Sequence, residues 1–301
     1  MTVDIQPRRP LIAALLSLSL PGLGQLYNGE INRGLWLFLA FVLTGSPAAT
    51  VAALYVPSGL TLPLLVLAVL ATLALWIGGV VQAWQRARGL QVYTRAGWQV
   101  SGLYALLLLA GTVLIVTLSI NTMRDHMVQS FSIPSASMQP GILPGDILFA
   151  DKRYNCPDCK QAVAVGDIGI FVYPNNRTQY YIKRVIGLSG DHVSLHGHVL
   201  QVNGKSLTAS ERASGESVIV SERSGDHQWE VQWGVGTVAA DVDITVPPGQ
   251  IFMLGDNRDL STDSRQFGTI PLSDLVGKAR QIWFSRGKDG VRWGRLGLVL
   301  R

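Results

Sequence analysis

Long apolar segments fill the first 120 residues of the chain, and none of comparable length follows. Of the 301 residues, 48% are hydrophobic and 15% are charged. Three segments, at about 35–56, 60–84 and 97–120, are long enough to cross a bilayer, which takes about 20 apolar residues. Backbone groups in lipid must bond within their own segment, so these segments are restricted to helices. We therefore expect residues 1–122 to form a multi-span α-helical membrane anchor.

A shorter apolar run at 11–26 is interrupted at 21–24 by the sequence Pro-Gly-Leu-Gly. Proline and glycine interrupt helices, so this run is either a re-entrant hairpin or a fourth crossing. The positive-inside rule favours the cytoplasm for Arg8 and Arg9 and for three arginines between the second and third spans. Three crossings with a re-entrant first run satisfy both groups, and they place the rest of the chain outside the cytoplasm.

The remaining residues, 123–301, have the pattern of an all-β domain. Short β-branched segments alternate with turn residues, which is typical of strands. The predicted strands are 166–173, 180–187, 192–202, 217–221, 242–246 and 250–254. Asn203-Gly204 predicts a hairpin turn. We interpret the glycine-, serine- and charge-rich region 209–236 as a surface insertion.

The net charge of +5 does not indicate a nucleic-acid partner. The basic residues are scattered or flank the apolar segments, where the positive-inside rule explains them. They form no basic stripe with interleaved aromatic residues. We therefore expect no nucleic-acid partner, whereas the apolar segments predict a lipid bilayer as one.

One serine and one lysine have sequence contexts that suit nucleophilic catalysis. Ser137 lies in the sequence IPSASMQP (133–140), where two prolines stiffen the backbone. Lys183 lies in the sequence YYIKRV (180–185), which reads as an apolar strand. A serine hydroxyl needs a neighbouring base, and burial can lower the pKa of a lysine by about 3–5 units. A buried Lys183 could therefore serve as that base.

These two sequences, followed by GDNRDLSTDSR (255–265), strongly resemble the type I signal peptidases. That family consists of membrane-bound Ser/Lys proteases that remove secretory signal peptides, and the resemblance covers about residues 131–284. It implies that Ser137 is the nucleophile and Lys183 the general base. Two positions depart from the family pattern: Gly141 stands where threonine is usual, and Leu260 stands where asparagine is usual.

The resemblance also assigns supporting roles. The hydroxyl of Ser135 and the amide of Ser137 would form the oxyanion hole, and Ser261 would orient the lysine. Gly255, Asp263 and Arg265 would support the site, with the last two forming a salt bridge. We interpret the other acidic-run residues Asp256, Asn257 and Asp259 as a polar loop. The implied substrate-binding residues are Phe131, Ile133, Met138, Ile142, Tyr181 and Ile182.

The resemblance predicts an endopeptidase that cleaves exported preproteins after a small-x-small sequence. No cofactor or metal is expected. The catalytic domain would lie on the periplasmic face of the inner (plasma) membrane as part of a multi-pass protein. Two alternatives are a Ser/Lys processing peptidase dedicated to a narrow substrate set and an inactive protease-like membrane scaffold.

Cys156 and Cys159 are the two cysteines of the chain. Outside the cytoplasm a disulfide is the first interpretation. Zinc ranks second, because His196 and His198 share a strand face and could complete four ligands. A redox role ranks last, because no thioredoxin-like context surrounds the pair.

Overall fold

The computed structural model of the chain describes residues 7–45, 47–48, 51, 56, 58–94, 103–154, 162–237 and 241–300. The chain divides into two compact units, Met1–Arg124 and Asp125–Arg301. The first unit is helical and the second is built from antiparallel β-strands.

The helices of the first unit are α1 (Pro10–Ser19), α2 (Leu23–Tyr27), α3 (Ile31–Thr44) and α4 (Ser58–Gly89), and α5 (Leu103–His126) follows them. Among the described residues, the one helix long and apolar enough to cross a membrane is the Pro63–Gly89 part of α4, with a mean hydropathy of 2.6. It overlaps the predicted span at 60–84. The predicted spans at 35–56 and 97–120 fall partly outside the described residues, so they remain predictions.

The predicted interruption in the run 11–26 separates α1 from α2. Gly22 lies there with a φ of 98°, a left-handed conformation that glycine adopts without strain. Beyond it, the side-chain amides of Gln25 and Asn28 donate from Nε2 and Nδ2 to the backbone carbonyls of Gly79 and Ala83 on α4, each at 2.8 Å. The run is therefore a helix-break-helix hairpin packed on α4. Whether it crosses a bilayer remains a prediction.

The described residues of the second unit form three antiparallel sheets. Its strands are β1 (Val128–Ser132), β2 (Asp146–Asp151), β3 (Ile168–Val172), β4 (Tyr180–Gly187), β5 (His192–His196), β6 (Val199–Val202), β7 (Lys205–Ser206), β8 (Thr208–Ser214), β9 (Ser217–Ser224), β10 (His227–Gly234), β11 (Val242–Thr245), β12 (Gln250–Leu254), β13 (Ile270–Pro271), β14 (Leu275–Gly287) and β15 (Gly290–Val291). A short helix, α6 (Ser264–Phe267), lies between β12 and β13. The main sheet has the order β1-β2-β14-β3-β4-β12-β13, and β15 pairs with β14. The smaller sheets have the orders β10-β9-β8 and β11-β5-β6-β7.

The six predicted strand regions all contain strands, and the turn predicted at Asn203-Gly204 joins β6 to β7. The interpretation of 209–236 as a surface insertion is wrong. Those residues form most of the sheet β10-β9-β8, and Trp229, Val231 and Trp233 are buried in a core shared with β5, β6 and β12. The segment 217–221 of β9 was predicted as a strand, whereas β8 is mostly exposed and polar side chains alternate with buried ones in β10, which concealed these two strands in the sequence.

A second core lies beneath the first strands of the main sheet. It brings Ile133, Met138 and Ile142 from the segment after β1 against Ile168 and Ile170 of β3, together with Ile182 of β4. Burial of an aliphatic side chain of this size contributes about 1.5–3 kcal/mol. This core therefore fixes the segment that carries Ser137 against the strand that carries Lys183.

Candidate active site

A cleft of about 320 Å³ opens where the segment after β1 passes β4. Its floor includes Ser137 and Lys183, and its rim includes Leu260 and Thr262. The rest of its lining is mostly apolar: Phe131, Ser132, Ile133, Pro134, Ser135, Ile170, Tyr180, Tyr181 and Ile182. The cleft suits an extended peptide with small or apolar side chains.

Ser137 lies in a turn that leaves its hydroxyl at the base of the cleft. The amide of Ile142 donates to the carbonyl of Met138 at 2.9 Å, which closes the turn behind it. The carbonyl of Ser137 accepts from the amide of Asn257 at 3.1 Å. The nucleophile is thus tied to the loop that follows β12.

Lys183 reaches Ser137 from the middle of β4. Its Nζ lies 3.0 Å from Ser137 Oγ and also donates to the carbonyl of Ile182 at 3.0 Å. Lys183 is 3% exposed, and its Nζ lies 5.4 Å from the centre of the Tyr181 ring. These two side chains share a face of β4, as expected from the alternation of side chains along a strand.

Burial lowers the pKa of Lys183 from 10.5 to about 8, because a desolvated ammonium is disfavoured. The negative charges of Asp263 and Asp256 oppose this shift, and the positive charge of Arg265 adds to it. A fraction of about one tenth of the lysine is then neutral at pH 7. The amine can therefore accept a proton from the Ser137 hydroxyl, which lies within hydrogen-bond distance.

Ser135 lies beside the nucleophile, with its Oγ 3.1 Å from Ser137 Oγ. Its hydroxyl lines the same cleft. A hydroxyl at this position can rotate to donate to a charge that develops on a carbonyl oxygen attacked by Ser137. A donor of this kind typically contributes about 2.7–4 kcal/mol to the transition state.

Ser261 is buried close to the other site residues, but its hydroxyl has no hydrogen-bond partner within the described part of the chain. The lysine-orienting role expected for it is therefore not seen as a hydrogen bond to Lys183. Gly255 explains the close packing here. A Cβ on Gly255 would lie 2.1 Å from Ser261 Oγ and 2.6 Å from the Ser137 carbonyl oxygen.

Asp263 and Arg265 form the expected salt bridge, with two N–O distances of 2.8 and 2.9 Å. Asp263 also accepts from the amide of Gly255 at 2.9 Å and caps the amino terminus of α6. This carboxylate therefore joins the salt bridge to the loop that packs against Ser137.

A second buried salt bridge was not predicted from the sequence. Asp256, interpreted as part of a polar loop, binds Arg184 through two N–O contacts of 2.8 and 2.7 Å. Both residues are almost fully buried, and Asn257 beside them is buried as well. The available signal was an arginine within the apolar sequence of β4, but nothing local identified its carboxylate partner, which lies 72 residues away.

Four of the six implied substrate-binding residues line the cleft, and their contact with substrate stays a prediction. Phe131, Ile133, Tyr181 and Ile182 line the cleft. The other two, Met138 and Ile142, do not line it. They have no exposed surface, because they pack in the core beneath the cleft. Their apolar character is explained by that packing.

The cysteine pair lies outside the described residues, so its disulfide remains a prediction. His196, proposed as an alternative zinc ligand, is exposed and lies 3.3 Å from Asp241. His198 stacks on Trp233, with 4.8 Å between the ring centres. Each histidine thus contacts a side chain of the second unit, Asp241 for His196 and Trp233 for His198.

Known proteins match the part of the chain that forms this site. The family model for signal peptidase, peptidase S26, matches residues 106–284. A signal peptidase I from Pseudomonas fluorescens is 34% identical over 209 residues, which cover 59% of this chain and 73% of the relative. A signal peptidase I from Pseudomonas aeruginosa is 33% identical over 191 residues, which cover 54% of this chain and 67% of the relative.

A solved structure of a signal peptidase I from Enterococcus faecalis V583 is 28% identical to this chain. It aligns with 39% of this chain and 97% of its own length, at a TM-score of 0.27 that is too low to support a comparison of folds. The family match alone spans more than half of the 301 residues and includes Ser137, Lys183 and the acidic run 255–265. This chain belongs to the signal peptidase family, peptidase S26.

Proposed function

We propose that this protein is a membrane-anchored serine endopeptidase that removes amino-terminal signal peptides from exported preproteins. Family membership supports the reaction and the preference for small residues at the first and third positions before the cut, and the mostly apolar cleft can hold an extended peptide. The observation that carries the mechanism is the 3.0 Å separation of Lys183 Nζ and Ser137 Oγ in a buried site.

In the proposed mechanism, the neutral amine of Lys183 takes the proton of Ser137 while Ser137 Oγ attacks the scissile carbonyl carbon. The Ser137 amide and the Ser135 hydroxyl stabilise the oxyanion. The Lys183 ammonium then returns its proton to the leaving amine as the C–N bond breaks, which leaves an ester on Ser137. Lys183 next deprotonates a water molecule that hydrolyses the ester and regenerates the serine.

The remaining residues have supporting roles in this proposal. Gly255 keeps the loop after β12 close to Ser137, and the Asp263–Arg265 pair holds that loop. The hydroxyl of Ser261 has no hydrogen-bond partner within the described residues, and we propose that it accepts a hydrogen bond from Lys183 when the amine becomes protonated. Met138 and Ile142 support the cleft from the core, and the side chains that contact substrate are Phe131, Ile133, Tyr181 and Ile182.

We also propose a multi-pass arrangement with residues 1–122 as the anchor and residues 123–301 as the catalytic domain on the periplasmic face. The length and hydropathy of α4 support one crossing, and the arginine distribution supports the orientation. A reporter fused after Arg301 should then behave as extracytoplasmic, and one in the loop after α4 as cytoplasmic. The opposite pattern would contradict the arrangement, because it separates the site from exported substrates.

The mechanism is tested with the full-length protein in detergent and a preprotein that carries alanine at the two specificity positions. Ser137→Ala and Lys183→Ala should each lower cleavage by about a thousandfold or more, since the two groups act as a unit. Lys183→Arg should be equally inactive, because a guanidinium stays protonated. The matched controls are Lys205→Ala and Ser206→Ala, which alter two exposed residues of β7 and should leave cleavage unchanged.

The same assay separates the alternatives. Substantial cleavage by Ser137→Ala or Lys183→Ala would refute the mechanism. Cleavage of a single preprotein among several with small residues before the cut would favour a dedicated processing peptidase. A folded wild-type protein that cleaves none of them would favour an inactive scaffold.

A further inference from the structure

A buried salt bridge that the Ser–Lys mechanism does not use joins the sheet β10-β9-β8 to the loop after β12. Glu222 of β9 and Arg258 of that loop are 0% and 1% exposed, and their Oε2 and Nη2 atoms lie 2.6 Å apart. The indole Nε1 of Trp229 donates to the same carboxylate oxygen at 2.8 Å. The guanidinium of Arg258 also lies 5.7 Å from the centre of the Trp233 ring.

Stability alone does not account for this pair. Removing two ions from water costs several kcal/mol per ion, and packed apolar side chains are often as stable. Here the compensation is also incomplete, because one oxygen of Glu222 and Nη1 of Arg258 have no hydrogen-bond partner within the described residues. The burial of this pair is therefore weak evidence for a purely stabilising role.

The position of Arg258 connects this pair to the nucleophile. Its Nε donates to the carbonyl of Gly255 at 3.2 Å, and its backbone amide donates to the carbonyl of Gln232 on β10 at 2.9 Å. In return, the amide of Gln232 donates to the carbonyl of Asp256 at 2.8 Å. The loop 255–258 is thus held by β10 on one side, and on the other side its Asn257 amide holds the carbonyl of Ser137.

We propose that Glu222 is a positioning residue for the peptidase reaction. By fixing Arg258, it holds the loop 255–258 in the place from which Asn257 sets the backbone of Ser137 beside Lys183. Glu222 acts through these residues and does not touch the substrate. Displacements of about 1 Å at a reacting group can cost about a hundredfold in rate, so loosening this support should reduce kcat more than it changes KM. The inference rests on the proposed function.

The test compares two variants of the full-length protein in detergent. Glu222→Gln leaves Arg258 buried without its counter-charge, so both the melting temperature and kcat should fall. The double variant Glu222→Gln with Arg258→Met removes both charges, so its melting temperature should recover. Its kcat should nevertheless stay about tenfold or more below that of the wild type, with KM within about twofold, because without Arg258 no guanidinium links Glu222 of the sheet to the carbonyl of Gly255.

The matched control is Glu230→Gln. Glu230 lies on β10 of the same sheet and binds Arg212 at 2.9 Å, but its side chain is 48% exposed. Neutralising it removes the same charge from the same sheet without reaching the loop 255–258. Both the melting temperature and kcat should stay at the wild-type values.

Hydrogen exchange in the same samples gives a readout that needs no substrate. The Asn257 amide should exchange faster in the double variant than in the wild type, even where the melting temperatures agree. A double variant in which kcat recovers together with the melting temperature, or in which exchange at Asn257 is unchanged, would overturn the inference. A wild-type protein that cleaves no preprotein would instead refute the proposed function, and the exchange measurement would still decide whether Glu222 positions the loop.

Discussion

The pH dependence of cleavage should follow the neutral fraction of Lys183, since only the uncharged amine can accept the proton of Ser137. With a pKa of about 8, kcat/KM should rise about tenfold per pH unit below pH 7 and only about twofold from pH 8 to pH 10. With the ordinary lysine pKa of 10.5, the same step from pH 8 to pH 10 would raise the rate by about 75-fold. The rise in kcat/KM between pH 8 and pH 10 therefore distinguishes a buried lysine base from a solvated one.

The assay is initial-rate cleavage of one preprotein by the full-length protein between pH 6 and pH 10, at substrate concentrations well below KM. Under that condition the profile reports the free enzyme. Rates of Ser137→Ala at each pH are subtracted, which removes hydrolysis that does not depend on the enzyme. Near-ultraviolet circular dichroism at each pH shows that the fold persists. A rate that still climbs about tenfold per unit between pH 8.5 and pH 10 would refute the assignment of a desolvated Lys183 as the base.

Two further substitutions test the energetics of the site. Lys183→Met should raise the free energy of unfolding by about 3 kcal/mol at pH 7, because a lysine shifted from 10.5 to about 8 destabilises the folded state while it is charged. Between pH 8 and pH 10.5 the unfolded wild-type chain binds more protons than the folded one, so the stability of the wild type rises with pH. The stabilisation by Lys183→Met, measured in denaturant titrations, should therefore be full below pH 8 and vanish as the pH rises to 10.5. A stabilisation that does not depend on pH would contradict this prediction. Gly255→Ala should lower kcat about tenfold or more, since its Cβ would overlap Ser261 and the Ser137 carbonyl. Gly294→Ala, where a Cβ meets nothing within 4 Å, is the control, and equal effects of the two substitutions would refute the packing argument.

The local features of this chain could be predicted from its sequence because each has a local physical cause. Turn residues and β-branched segments marked β3, β4 and β12. The Pro-Gly-Leu-Gly sequence marked the break between α1 and α2. The flanking sequences of Ser137 and Lys183 predicted a nucleophile and a general base at these positions.

The non-local features could not be predicted in the same way. Asp256 and Arg258 lie in a sequence with the composition of a solvated loop, and their burial depends on partners 72 and 36 residues away. The burial of Glu222 could not be predicted from its local sequence, because its serine-rich surroundings suggested an exposed insertion. Met138 and Ile142 have the same apolar character as the cleft residues, and only the packing distinguishes them.

The place of β14 in the main sheet has a consequence for the order of events during synthesis. β14 (Leu275–Gly287) lies between β2 and β3 in the main sheet. It therefore joins strands β1 and β2, which flank Ser137 in the chain, to strands β3 and β4, the second of which carries Lys183. Chains emerge from the amino terminus at about 5–20 residues per second. A nascent chain that has reached residue 274 therefore contains both Ser137 and Lys183 but lacks β14. We therefore expect the main sheet, and with it the site, to be complete only after β14 has been synthesised, when residues 1–122 have already left the ribosome.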